Sequence, residues 1–200
     1  MEIIKKLSFK PIHIILLVVL FVLIYTAGVY NNLIKLNEVI NESWSQVENV
    51  YQRRSDLIPN LVETVKGYAK HEKETLNSVI EARSKATSID TKDLQNNPQS
   101  FQAFQESQAN LTSSLSMLLL IVERYPDLKA NKNFLELQSQ LEGTENRIAV
   151  ERKRYNESVK QYNTTLMLFP GNVIANIFGF HNREYFKAES TAKTAPKVTF

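Results

Sequence analysis

Residues 100–125 read SFQAFQESQANLTSSLSMLLLIVERY. Within them Phe104, Gln108, Leu111, Leu115, Leu118, Val122 and Tyr125 recur at alternating spacings of four and three. That rhythm lines one stripe of an α-helix, whereas on a strand it would scatter the same residues over both faces. A repeat near 3.5 also predicts a slight left-handed winding of packed helices. Asn96-Asn97-Pro98 before the stretch and Pro126-Asp127-Leu128-Lys129-Ala130-Asn131 after it are turn signals.

The same rhythm extends outward. On the N-terminal side it passes through Leu33, Leu36, Ile40, Trp44, Val47 and Val50, and then through Leu61, Val65, Tyr68, Leu76, Val79 and Ile80. On the C-terminal side it runs from Phe134 through Leu141, Ile148, Tyr155 and Val159 to Leu166. Helices are expected over about 30–56, 57–90, 100–125 and 133–168. Apolar stripes of this kind cannot stay wet, so the fold class is all-α: an elongated antiparallel four-helix bundle with a left-handed twist. Pro59 removes a backbone donor and predicts a break or kink near Leu57–Ile58, with Asp56 as cap of the second helix and a possible hinge there. Gly67 and Gly143 fall inside helical pattern, where each costs about 1 kcal/mol relative to alanine. Close helix crossings at those two points are the expected compensation.

Ahead of the bundle, residues 11–34 contain no Asp, Glu, Lys or Arg. Roughly 20 apolar residues cross a ~30 Å hydrocarbon layer as a helix, so residues 11–29 are expected to form one transmembrane helix. A basic front and an apolar middle fit a retained anchor or a cleaved export signal. The length of the run, the lack of a strong small-x-small site and its direct continuation into helical pattern favour the anchor. Lys5, Lys6 and Lys10 in a short basic segment, 1–10, favour an inside N-terminus.

Little chemistry is visible. Net charge is +3, of which the first ten residues supply +2, and the remaining charges are interspersed. No nucleic-acid partner is indicated, because such a partner needs a clustered basic face. Cysteine is absent. His71-Glu72 resembles a fragment of a metalloprotease helix, but Thr75 stands where the second histidine would be. No catalytic, cofactor-binding or metal-binding residues are assigned, and no cofactor is expected.

Arg53-Arg54 has two readings: a contact for an acidic partner, or internal pairing with fourth-helix glutamates such as Glu145 or Glu151. Carboxylates on an apolar stripe are costly unless paired. Phe169-Pro170-Gly171-Asn172 stops the fourth helix. An apolar segment, 169–188, should then pack on the bundle or meet the bilayer or a partner. Residues 189–200 are expected to be a disordered tail.

One long run is distinctive: Trp44-Ser45-Gln46-Val47, then Arg53-Arg54-Ser55-Asp56-Leu57-Ile58-Pro59-Asn60-Leu61-Val62-Glu63-Thr64-Val65-Lys66-Gly67-Tyr68-Ala69-Lys70-His71-Glu72, then Ala82-Arg83. A second block includes Thr144-Glu145, Ile148-Ala149, Arg152, Tyr155-Asn156, Tyr162-Asn163, Phe169-Pro170-Gly171-Asn172 and Phe178-Gly179-Phe180. Together these resemble the signature of the LemA family over about residues 25–188. Glu151, in place of an expected alanine, and His181-Asn182 are local departures. The resemblance implies a bacterial single-pass membrane protein with a helical bundle and no established activity, metal or cofactor. It implies an N-terminus outside and the bundle in the cytoplasm, opposite to the charge count, so the side stays open.

The function expected is a non-enzymatic scaffold or interaction module for an envelope protein partner. The alternative is a ligand- or lipid-sensing bundle hinged near Pro59, since a small-molecule ligand is possible but not supported. The candidate interaction surface is Arg53, Arg54, Asp56, Pro59, Asn60, Glu63 and Tyr68 at the corner, with Phe178 and Phe180 in the C-terminal apolar segment.

Overall fold

The computed structural model describes residues 11–91 and 94–187. The basic segment 1–10 and the tail 189–200 lie outside the described residues. Regular structure among the described residues is helical throughout: α1 Pro11–Tyr68, α2 Lys73–Thr87, a 3-10 turn Leu94–Asn96, α3 Pro98–Val122, α4 Pro126–Lys129, α5 Lys132–Met167 and α6 Gly171–Phe178. The Asn97 side chain accepts from the Gln99 and Ser100 amides to start α3, and the Asn131 side chain accepts from Phe134 to start α5.

The helix boundaries differ most from the sequence reading over 57–90, expected as one helix, and the expected turn at 126–131 and apolar segment 169–188 contain the short helices α4 and α6. No corner exists at Leu57–Pro59. α1 is a single helix of 58 residues that passes through Pro59, and the chain turns instead at Ala69–Glu72. Pro59 lacks the N–H that would have bonded to the Ser55 carbonyl one turn earlier. In this fold Arg83 of α2 donates its Nε–H to that carbonyl at 2.8 Å. The bond that proline deletes is replaced from a neighbouring helix, so the helix continues. Asp56 caps nothing here; it sits exposed within α1 and accepts from Gln52.

Side-chain contacts fix how the helices run. Trp44 meets Tyr155, Arg54 meets Glu145 and Tyr68 meets Asn131, so α5 descends antiparallel to α1. Ser78 meets Ser114 and Gln108 donates to the Ala86 carbonyl, which makes α2 and α3 antiparallel. Trp44 on Phe101 and Arg54 on Gln108 place α3 beside α1 in the same direction.

Two apolar cores result. One, toward the N-terminal end of the bundle, gathers Leu33, Ile40, Trp44, Phe101, Phe104, Tyr155, Tyr162 and Phe186. The other gathers Ile58, Leu61, Val65, Val79, Leu111, Leu118, Phe134 and Leu141. Each fully buried Leu, Ile or Phe stabilises the fold by about 1.5–3 kcal/mol. Neither expected glycine crossing is present, since a Cβ at Gly67 or Gly143 would meet nothing within 4 Å. The glycine that close packing does require is Gly171, whose Cβ would lie 2.0 Å from the Thr165 carbonyl oxygen. Gly179, with φ of 73°, takes the left-handed conformation that ends α6.

The first part of α1 contributes to neither core. Its apolar residues from Ile12 to Tyr25 are all exposed on the protein, as a helix facing lipid must be. No loop separates it from the bundle, so the span and the first helix of the bundle are one rod.

Candidate functional site

Between the two cores lies a layer of polar residues. Arg54 is at its centre and is only 1 % exposed. A buried guanidinium has to be paired and hydrogen-bonded. Here Nη1 donates to Thr112 at 2.9 Å and to the Glu145 carboxylate, while Nη2 donates to the Gln108 side-chain oxygen. Its guanidinium also lies over the Tyr51 ring, 5.1 Å from the centroid. One side chain on α1 thereby ties α3 to α5. Pairing with a fourth-helix glutamate, expected from sequence, is found for Glu145. Glu151 instead accepts from Arg154 one turn on.

On the solvent side of Arg54, α3 and α5 stand apart and leave a trough of about 420 Å³. Gln102, Gln105, Asn110 and Ser113 line it from α3, and Glu145 and Arg152 from α5. The lining is rich in amides and carries both signs of charge, which suits hydrogen bonding to a backbone better than holding a single ion.

An extended segment of the chain reaches one end of this trough at Lys187. After α6 the segment 181–187 turns back along the bundle. The Asn163 side-chain amide donates to the Arg183 carbonyl and accepts from the Arg183 amide, both at 2.9 Å. Asn156 does the same for Phe186, at 3.0 and 2.9 Å. Asparagines seven apart on a helix are separated by about 10.5 Å, and strand residues three apart by about 10 Å. The two spacings match, so α5 acts as a surrogate strand edge for the strap. Phe186 then enters the aromatic cluster of Trp44, Phe101 and Tyr155, and the Lys187 amide donates to Gln105 at the trough.

The expected surface residues do not converge. Arg54 is inside the bundle, whereas Arg53, Asp56, Pro59, Asn60 and Glu63 are exposed along α1. Asn60 and Glu63 border a shallow depression shared with Asn133, Glu136 and Gln140 of α5. Tyr68 lies at the far end of α1 and accepts from Asn131 at 2.8 Å. Phe178 and Phe180 pack tilted and edge-on against Tyr30 near the membrane span, at 4.9 and 5.6 Å between ring centres, which is ~57 Å of helix away from Tyr68. Without an interruption at Pro59, the expected hinge has no corner at which to act.

Burial pushes the Tyr155 and Tyr162 phenols above their usual range, and a hydrogen bond to the Glu72 carboxylate does the same for Tyr125. Phenols held neutral in this way are structural parts of a core. Among the described residues no group of three or more His, Cys, Asp or Glu is placed to hold a metal ion, and His71 is an exposed residue of the corner after α1.

The model of the LemA family matches residues 43–200, most of the chain. The chain belongs to the LemA family. It is similar to magnetosome protein MamQ 2 of Paramagnetospirillum magneticum, with 27% identity over 218 aligned positions that cover 98% of this chain and 79% of that protein. Protein LemA of Metamycoplasma hominis is 26% identical over 180 positions, covering 90% of this chain and 78% of that protein. MamQ of Magnetospirillum gryphiswaldense is 28% identical over 189 positions, covering 85% and 68%. LemA proteins are not known enzymes. The first part of α1, the one helix among the described residues long and apolar enough to cross a membrane, is the membrane anchor of this LemA-family chain.

Proposed function

We propose that this LemA-family protein is a scaffold that holds an extended segment of an envelope protein partner against the α3–α5 trough. The supporting observation is the strap at residues 183–187. Asn156, Asn163 and Gln105 already hold the backbone of an extended chain by amide hydrogen bonds, and amide side chains of the same kind line the trough that Lys187 borders. Side-chain amides that accept and donate to backbone give affinity with little demand on sequence, as in strand addition to a sheet edge. The exposed row Arg53, Asp56, Pro59, Asn60, Glu63 and Tyr68, and the Phe178–Phe180 end, remain further proposed contact surfaces, while Arg54 serves as the pin beneath the trough. The presenting rod is taken as an elongated antiparallel four-helix bundle, α1, α2, α3 and α5, with the left-handed twist of a 3.5-residue repeat.

The test is photo-crosslinking in intact cells. A photoreactive residue is placed at Gln102, Asn110 or Ser113 of the full chain, and at exposed Glu81 on α2 as a control. A discrete protein adduct from the trough positions, absent at position 81 and absent from an anchor-only chain, is the expected result. Adducts no different from those of the anchor alone would overturn the scaffold reading.

A further inference from the structure

The end of the bundle nearest the span carries apolar surface that none of the described residues covers. Phe169 is 82 % exposed and Ile177 69 %, and Met167, Leu168, Val173 and Phe178 are exposed beside them. α6 is nonetheless firmly placed: Ile174 and Ala175 on its inner face are buried in the first core, and Gly171 packs on the Thr165 carbonyl. The helix thus presents a fixed apolar face outward. Isolated exposed apolar residues need no explanation, but a contiguous patch marks an interaction surface.

Position decides what covers it. Leu168 and Phe169 share a shallow pocket with Ile24, Tyr25, Gly28 and Val29 of α1, residues of the apolar run that crosses the membrane. The uncharged stretch of α1, residues 11–34, is 24 residues long, or ~36 Å of helix against a ~30 Å hydrocarbon core. Its last residues therefore lie at the boundary between acyl chains and headgroups, and α6 lies at the same level against Tyr30. The sequence around α6 is graded to match. Residues 161–182 contain no Asp, Glu, Lys or Arg, and Lys160 and Arg183 flank them.

We propose that the Met167–Pro170 loop and the outer face of α6 are a second membrane contact, inserted at the interface of the same bilayer that α1 crosses. An aromatic and aliphatic face at headgroup depth, with basic residues just outside it, is the chemistry of an interfacial helix. Two points of contact, one through the bilayer and one on it, fix the rotation of the rod about its own axis. The trough would then face a set direction relative to the membrane.

The chain lacks cysteine, so a single introduced cysteine can carry a nitroxide label. Phe169→Cys and Ile177→Cys report on the patch, and Leu120→Cys, exposed on α3 far from the span, reports on water. All three sites are exposed, so the cores are untouched. Each labelled full chain is placed, one copy per disc, in nanodiscs of phosphatidylcholine and phosphatidylglycerol. Collision with oxygen is then compared with collision with a water-soluble nickel chelate. Labels at 169 and 177 are expected to favour oxygen severalfold, and the label at 120 to favour nickel. Nickel access at 169 and 177 equal to that at 120 would overturn the proposal. So would shielding from both reagents joined to spin–spin broadening in crowded proteoliposomes, because a second copy would then be the occupant. The outcome is independent of whether a partner crosslinks to the trough.

Discussion

At the scale of single residues, the buried phenol of Tyr155 is the least comfortable group in the first core. Its ring stacks on Phe101 and meets Trp44 and Phe186 edge-on, but its hydroxyl makes no hydrogen bond among the described residues. An unsatisfied buried polar group costs about 1–3 kcal/mol, so Tyr155→Phe should leave the fold as stable or raise it by about 1 kcal/mol, measured by denaturant unfolding in detergent. The pH dependence follows from the raised pKa. Folding then favours the protonated phenol: stability is complete below pH ~10, where tyrosine ionises in the unfolded chain, and declines as pH rises above it. Tyr155→Phe should flatten that alkaline decline. Gly143 offers a second test. Nothing stands where its Cβ would be, so Gly143→Ala should stabilise by about 0.5–1 kcal/mol and raise the melting temperature by a few degrees. The sequence pattern pointed the other way at Gly143, because a glycine inside a helix looks the same whether a neighbour crosses it or not.

At the scale of elements, the decisive contact is the one between Arg83 and the Ser55 carbonyl. Proline rules are local, and by them Pro59 ends a helix. The group that rescues the turn lies on α2, 28 residues later. Arg83 was visible in the Ala82-Arg83 of the signature, yet nothing in its local pattern assigned it a role. A double-mutant cycle isolates the contact. Arg83→Ala alone should cost about 1.5–3 kcal/mol, as loss of a hydrogen bond from a charged donor to a buried acceptor. With Pro59→Ala the helix regains its own N–H for Ser55, and the further cost of Arg83→Ala should fall below about 1 kcal/mol. Equal costs in both backgrounds would show that the arginine supports α1 by some other route. The span, α3 and α5 were legible from their own residues, whereas the start of α2 and the short helices α4 and α6 were not. Heptad spacing and the turn signals at Asn96–Pro98 and Pro126–Asn131 marked α3 and α5 within two or three residues of their ends, and the uncharged run marked the span. The strap was not, because asparagine side chains hold it and asparagines on a helix carry no periodic signal. Asn156 and Asn163, seven apart beside Tyr155 and Tyr162, are the trace that could have shown it.

At the scale of the whole molecule, the bundle is two greasy blocks separated by one charged layer. The first block ends at Tyr51, Phe104 and Ile148, and the second begins at Ile58, Leu111 and Leu141. Arg54, Gln108, Thr112 and Glu145 fill the gap. A rod built from 3.5-residue repeats has neighbouring registers that bury nearly as much apolar surface, and a buried polar residue selects among them because only one register satisfies it. Arg54 has this role in the arrangement of α1, α3 and α5: a shift of any one by a turn strands a guanidinium or a carboxylate. The motive for an Arg–Glu pair was readable from glutamates on an apolar stripe, but the choice of Arg54 over Arg53 was not, since it depends on a rotation of one residue about the axis of α1. Arg54→Ala should be among the most damaging single changes, at about 3–5 kcal/mol, because it leaves the Gln108 side-chain oxygen and part of Glu145 without a partner. Glu145 is 38 % exposed and can turn to water, so Glu145→Gln should cost less, on the order of 1–2 kcal/mol. The contrast that identifies a register pin comes from Arg54→Met combined with Gln108→Leu and Glu145→Leu. An apolar layer of similar volume restores most of the stability lost in Arg54→Ala. It should also let distances between spin labels on α1 and α5 broaden into more than one population. Full stability with a single sharp distance would mean that the apolar seams set the register alone and that Arg54 serves only the surface of the trough above it.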